Sequence, residues 1–232
     1  MTSTQRPVHL LDHGTGTGQV ARLLHERIPG CTVHCLDPSA DLLRSAPQAP
    51  WEPWGSAQLG TAADLHDHDR FDGCVSNLVL PFTANTIEDL RRIRATLAAG
   101  APLVAVTLGT APEVEPFHQF WDAYHSLGDS LGHSFWPPER YVHFRFGRPP
   151  MLHAVFHAAG FENVQLSTVE ATRILSPEAV WDWLSSALPV GTEDGYVTPE
   201  PALSDAARHC FLKCSEGRTS WATRCLIACA TA

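Results

Sequence analysis

The stretch Leu11-Asp12-His13-Gly14-Thr15-Gly16-Thr17-Gly18 decides how this chain is read. It closes the apolar run Val8-His9-Leu10-Leu11-Asp12, which suits a buried parallel strand. It opens a helical pattern over Gln19 to Ile28, where Val20, Leu23, Leu24 and Ile28 share one face and Gly30 follows as a stop signal. Glycines between strand and helix let the main chain turn sharply and let a ligand approach without Cβ atoms in the way. The helix start adds unpaired N–H groups. Nineteen residues beyond Gly18, Asp37 ends a second strand over Thr32 to Leu36. A carboxylate there can accept hydrogen bonds from both hydroxyls of a ribose. The spacing is G-x-G-x-G; a dinucleotide fingerprint would need glycine at Gln19, so a nicotinamide or flavin dinucleotide is disfavoured. Asp12 precedes the turn, where it can face an amino group. The same residues also fit a plain strand–helix turn, with Asp37 as a helix N-cap and Asp12 as a capping carboxylate.

Outward from this stretch, strand and helix patterns alternate. A short helix is expected around Asp41 to Ala46, then loop over Pro47 to Gly60 with a weak strand at its end. Phe71 to Leu80 reads as a strand. Thr86-x-x-Asp89 resembles a capping box before Leu90, Ile93 and Leu97, and Pro102 to Leu108 is again strand-like. Later come helical spacing in Phe117, Phe120, Trp121, Tyr124 and Leu127, and a helix opened by Pro149-Pro150. A strand over Val164 to Val169 and a helix started by Ser176-Pro177-Glu178 follow. A last helix near Ala202 to Cys214 and a strand over Trp221 to Ala230 close the chain. The pattern predicts an α/β fold with a doubly wound, mostly parallel seven-stranded sheet and a final antiparallel strand. A single domain over residues 1–232 is expected, with a helical lid insertion at about 111–148.

Composition bounds the function. With 232 residues, 44% of them hydrophobic, the chain can bury a sizeable core. A formal charge of -9 and the lack of any basic run disfavour nucleic acid and membrane surfaces as partners. No stretch approaches the roughly 20 apolar residues of a bilayer span. Met1 to Pro7 lacks a signal-peptide pattern, which predicts a cytoplasmic protein. The seven cysteines include no C-x-x-C pair and read as free thiols.

At this point the sequence resembles the class I S-adenosylmethionine-dependent methyltransferases, in particular their ubiquinone/biotin-biosynthesis-like small-molecule branch. The resemblance covers roughly Val8 to Val169. Asp12 through Gly18 match the family's first motif, and Asp37 in Leu36-Asp37-Pro38-Ser39 matches its second-strand acid. Gly60-Thr61-Ala62-Ala63-Asp64-Leu65 stands where the third motif usually reads Gly-Asp-Ala-x-x-Leu, with Thr61 in place of the acid that meets the adenine amino group. Phe71-Asp72 through Asn77-Leu78 match the fourth motif, whose strand end lies beside the methionine part of the cofactor. Ala158 to Val164 looks like the late helix-to-strand junction. The resemblance implies a Rossmann-like methyltransferase fold, S-adenosylmethionine as cofactor, and methyl transfer to a small organic acceptor. It implies cofactor contacts at Asp12, His13, Gly14, Gly16, Gly18, Asp37, Pro38, Thr61, Ala62 and Asn77. A partner subunit without catalysis, or another reaction of the bound sulfonium such as cyclisation, remains the alternative. Relatives carry helices before the first strand where this sequence has seven residues, so the expectation is either a more open cleft or one covered by a second subunit, as in a homodimer, or by the 111–148 segment.

The acceptor side is less marked. Methyl transfer needs alignment and exclusion of water, with a general base for a hydroxyl or protonated amine. His118, Tyr124 and His143, all in the 111–148 segment, are the candidates. His118, Asp122 and His125 share a helical face, which suits a metal half-site, a base–orienter pair or a solvated stripe. Tyr141 to Phe146 alternates polar and apolar residues, as an extended piece would. Arg140, Arg145 or Arg148 can hold an acceptor carboxylate. The aromatic residues Phe117, Phe120, Trp121, Tyr124, Phe135 and Trp136 suit either an acceptor pocket or a satellite core.

Overall fold

A computed structural model describes residues 7–46, 55–66, 68–131, 133–188, 190–193 and 195–232. The first part of the loop expected over Pro47 to Gly60, most of Met1 to Pro7, and Asp67 lie outside the described residues. Strands and helices are numbered here in chain order. Seven strands form one sheet: β1 (Val8–His13), β2 (Cys31–Asp37), β3 (Gly55–Leu59), β4 (Gly73–Asn77), β5 (Pro102–Leu108), β6 (Glu162–Ile174) and β9 (Ser220–Thr231). Their order is β3-β2-β1-β4-β5-β9-β6. β1 lies parallel to β2, in register from Val8 opposite Cys31 to His13 opposite Leu36, and parallel to β4 on its other side. β9 runs against β5: Ala232 N–H donates to Ala101 O at 3.0 Å at one end, and Gly109 N–H donates to Arg224 O at 2.8 Å at the other. This is the expected Rossmann-like methyltransferase fold with its antiparallel last strand.

The chain steps outward from β1 to β2 and β3, then returns to the far side of β1 with β4 and β5. Such a reversal opens a crevice beyond the carboxyl ends of β1 and β4, where ligands bind in open α/β sheets. The strands are apolar because both faces are covered: Leu11, Val33, Cys35, Leu103 and Ala105 are fully buried. Burying such a side chain stabilises by roughly 1.5–3 kcal/mol. The helices of this part are α1 (Gln19–Arg27), α2 (Ala40–Ser45), α3 (Thr86–Thr96) and α5 (Pro149–Ala158).

Several local expectations are corrected. β4 ends at Asn77, not Leu80, because Leu78 has φ 60° and leaves the extended region. α3 is capped by Asn85, whose side chain accepts from Glu88 N–H at 3.3 Å. Thr86 is instead the first helical residue, and its hydroxyl donates to Leu80 O at 3.2 Å. β6 extends well past Val169 to Ile174.

The chain divides into two compact units: Met1–Thr107 with Pro149–Ser167 and Ile227–Ala232, and Leu108–Arg148 with Thr168–Leu226. The segment expected as a lid falls within the second unit together with residues 168–226. That unit holds α4 (Glu115–Leu131), α6 (Pro177–Ala187), α7 (Pro201–Cys214) and an unexpected hairpin of β7 (Val190–Thr192) and β8 (Gly195–Val197). Its core is aromatic: Phe120, Trp121, Tyr124, Phe135, Tyr141, Phe144, Trp181, Phe211 and Trp221 are all buried. Trp121 stacks on Tyr141 with centroids 3.9 Å apart, and Phe211 on Trp221 at 5.5 Å. The residues from Tyr141 to Phe146 are not extended. Val142–Phe144 form a 3-10 turn that drives Tyr141, Phe144 and Phe146 inward together.

Candidate functional site

The site begins at the glycine turn. Gly14, Gly16 and Gly18 have φ of 71°, 57° and 75°, a region that L side chains rarely adopt. At Gly14 a Cβ would also lie 2.2 Å from the Val79 side chain, so the turn can press against the β4 end only with glycine there. At Gly16 a Cβ would meet nothing within 4 Å. Gly14 N–H and Thr15 N–H donate to Leu36 O at 2.7 and 3.1 Å, which fastens the turn to the end of β2.

The two acids take different places. Asp12 is 1% exposed and lies beneath the turn; the Thr15 hydroxyl donates to its Oδ2 at 2.6 Å. Burial pushes its carboxyl up to about 6, against the Thr15 hydroxyl and the Ala21 amide, which favour ionisation. Asp12 therefore holds the turn and does not line a cavity, contrary to the expectation that it faces an amino group. Asp37 stands opposite the glycine bend, as the sequence suggests. Its Oδ2 accepts from Gly16 N–H and its Oδ1 from Ser39 N–H, each at 2.8 Å. It is not the N-cap of α2; that is Ser39, which accepts from Leu42 N–H at 3.3 Å.

Above the strand ends lies a cavity of about 520 Å³, lined by residues that include His13, Gly14, Pro38, Thr61, Val79 and Phe82. Of the residues the sequence pointed to, His13, Gly14, Pro38 and Thr61 line it directly. Asp37 is the neighbour of Pro38. Ala62 is fully buried at the start of a 3-10 turn, Ala62–Asp64, so the cavity meets Thr61 and Ala63 on either side of it. Asp64 secures Thr61, accepting from its N–H at 2.8 Å. Gly18 caps α1, and Asn77 ends β4 half-buried; neither lines the cavity. The wall supplied by Leu36, Thr83, Ala84, Asn85, Glu88 and Asp89 was missed. The signal for it was the Asn85 cap, which brings the first turn of α3 to the cavity.

His13 is 4% exposed, and its Nδ1 hydrogen bonds with Ser76 Oγ at 3.1 Å across the ends of β1 and β4. Burial pushes the imidazole down to about 4, against the pull of the Asp37 carboxylate, so it is neutral at pH 7. The thiol of Cys35 is pushed up by burial to about 12, and that of Cys74 upward likewise. Both behave as apolar core groups. All seven cysteines are free.

The three acid–base candidates lie in the second unit and are not brought together. Tyr124 is buried in the aromatic core, its hydroxyl donating to Ser204 Oγ at 3.3 Å. His143 packs on Trp121 with centroids 5.0 Å apart, and burial pushes it down to about 4. His118 is more open, with Nε2 3.8 Å from Glu139. His125 donates from Nδ1 to Phe135 O at 2.9 Å, so it and His118 have separate partners. Among the described residues no three His, Cys, Asp or Glu side chains are grouped to hold a metal. Arg140 pairs with Glu193 at 2.5 Å and covers the Trp136 ring, while Arg145 lies over Phe146.

Residues 11–103 match the family model described as a methyltransferase domain. A curated relative, a malonyl-[acyl-carrier protein] O-methyltransferase of Halorhodospira halophila, is 28% identical over 127 residues; the match takes in 53% of this chain and 41% of that protein. Among solved structures, a putative methyltransferase from Bacillus halodurans superposes with a TM-score of 0.63 at 16% identity, over 99% of this chain and 94% of its own. Phosphoethanolamine N-methyltransferase 2 of Haemonchus contortus, solved with phosphomonomethylethanolamine and S-adenosylhomocysteine, gives 0.57 at 14% identity, over 99% of this chain and 50% of its own. At these identities the structures speak for the fold. Among the described residues no helix is long and apolar enough to cross a membrane. The glycine turn and every residue lining the cavity fall inside the stretch that matches the methyltransferase-domain model.

Proposed function

We propose that this chain is an S-adenosylmethionine-dependent methyltransferase acting on a small organic acceptor. The observation that carries it is the cavity at the reversal of strand order, lined by His13, Gly14, Pro38 and Thr61 and backed by the glycine turn and Asp37. Its volume, about 520 Å³, lies within the range of small-molecule pockets. The open space at Gly16 leaves main chain accessible where a bulkier residue would stand. These features fit a nucleoside with an amino-acid tail. Gly14 offers main chain, Asp37, held by the Gly16 and Ser39 N–H groups, offers its remaining lone pairs for ribose hydroxyls, and Pro38, Thr61 and Ala63 offer a wall for the base. Asn77 and Gly18 shape the turn's surroundings, and Asp12 positions it.

When bound, the cofactor supplies an electrophilic methyl group on a sulfonium. The protein's part is to orient the acceptor and exclude water. Of the acid–base candidates, His118 has the exposure that proton exchange needs. The net charge of -9 supports an acceptor other than nucleic acid. A homodimer covering the cleft would also bury Leu78 and the cavity-lining Phe82, exposed apolar side chains that follow β4. Titration calorimetry with S-adenosylmethionine and S-adenosylhomocysteine tests the cofactor: micromolar binding is expected, and a folded sample that binds neither overturns the proposal. Mass measurement in solution tests the dimer.

A further inference from the structure

His13 is a buried imidazole that lines the cavity with one nitrogen already engaged. Nδ1 hydrogen bonds with Ser76 Oγ at 3.1 Å, whereas Nε2 bonds to no protein atom among the described residues. A polar edge left open in a mostly apolar cavity costs free energy unless water or a ligand meets it. Asp12, the acid that sequence places nearest an amino group, is held under the turn by Thr15 and is not available. We infer that His13 is a specificity-determining residue: its Nε2 accepts a hydrogen bond from the ammonium group of the cofactor's amino-acid tail, and Ser76, bonded to Nδ1, positions the ring for it. This rests on the S-adenosylmethionine reading proposed above.

The chemistry is self-consistent. With the proton on Nδ1, His13 donates to Ser76 Oγ and presents a lone pair at Nε2. The ring stays neutral in its buried place, so it faces a cationic ligand without repulsion. An arginine or lysine at the same place would repel it. A hydrogen bond between a charged donor and a neutral acceptor is stronger than a neutral pair, so its loss is measurable.

The test compares two probes on wild type and on His13→Leu, His13→Gln and Ser76→Ala. S-adenosylhomocysteine carries the ammonium group, and 5′-methylthioadenosine has the same nucleoside without it. His13→Leu should weaken S-adenosylhomocysteine by about 10- to 100-fold and 5′-methylthioadenosine by less than about 3-fold. His13→Gln, which keeps an acceptor, should recover part of the loss. Ser76→Ala should weaken S-adenosylhomocysteine by an intermediate factor, again leaving 5′-methylthioadenosine unchanged. Equal weakening of both probes, or of neither, overturns the assignment. Circular dichroism of each variant identifies misfolding, in which case His13→Gln and Ser76→Ala decide. If wild type binds neither probe, the cofactor reading itself fails, an outcome distinct from loss of discrimination.

Discussion

The two units use polar side chains in opposite ways. In the first, Asp12, Asp37, His13 and Ser76 are buried or nearly so, and each is tied to the glycine turn or to the strand ends around one cavity. In the second, Tyr124 and His143 are packed among aromatic rings, and the pairs Arg140–Glu193 and His118–Glu139 lie toward solvent. A buried polar group that shapes backbone beside a cavity prepares a ligand site. A buried polar group inside an aromatic cluster mainly adjusts packing. Similar residue types thus divide by what surrounds them.

Trp121→Ala should sharpen this contrast most. Trp121 is fully buried, stacked on Tyr141 and edge-on to Phe144. Its removal leaves a cavity that rings cannot collapse to fill, for a loss of about 3–5 kcal/mol in denaturant titration. Binding of S-adenosylhomocysteine to protein that remains folded should change little. A large loss of affinity in folded material would break the distinction.

Next in size is the response to acid. His143 is held near 4 by burial against an ordinary value of 6.5. Between those values the unfolded chain takes up a proton that the folded chain does not, so stability rises with pH through the window and is complete above 6.5. The contribution is on the order of 3 kcal/mol. In the first unit His13 acts in the same sense, but Asp12, raised from 3.8 to about 6, acts in the other. Its folded form keeps a proton that the unfolded form has lost, so its contribution is full below 3.8 and disappears as pH rises through 6. The two oppose each other. His143→Leu should therefore flatten the stability profile between pH 4 and 6.5, whereas the double variant Asp12→Asn with His13→Leu should leave its slope little changed. Urea midpoints at pH 4.5 and 7 read the difference.

Gly14→Ala follows. Its φ of 71° costs an alanine about 1–2 kcal/mol, and the added Cβ must displace Val79. Stability should fall by roughly that amount, but calorimetry should find binding of S-adenosylhomocysteine largely abolished, because the turn and the cavity wall move together. Wild-type affinity in this variant would show that the turn does not shape the site.

These contrasts also explain which parts could be read from sequence. The glycine turn, Asp37 and the mostly parallel sheet were legible because each follows from local chemistry: positive φ demands glycine, and short apolar runs between helices imply a parallel sheet. Asp12 was placed correctly in the chain and wrongly in space, since spacing does not tell which way a carboxylate turns once Thr15 offers it a hydroxyl. The α3 wall of the cavity was missed because the cap was assigned one residue late, at Thr86 in place of Asn85. Tyr141 to Phe146 alternates as a strand would, yet burial of its rings wins over that period. The division into two units depends on long-range packing of rings from α4, α6 and α7, which no local pattern encodes.

Tyr124→Phe is the smallest change and the finest test of the contrast. It removes one hydroxyl and keeps the ring that packs against Phe120 and Trp181. The bond lost is long, 3.3 Å to Ser204, and burial also raises the pKa of the phenol, which disfavours its ionised form. A neutral hydrogen bond of ordinary geometry contributes about 0.5–1.5 kcal/mol, so this one should fall at the lower end. If Tyr124 is a packing residue, methyl transfer should proceed at the wild-type rate, with KM unchanged. A general acid or base, by contrast, contributes about 10²- to 10⁴-fold, and its loss would also alter the pH–rate profile. A rate drop of that size without a matching loss of stability would move Tyr124 out of the core and into the chemistry, and the buried polar groups of the second unit would no longer serve packing alone.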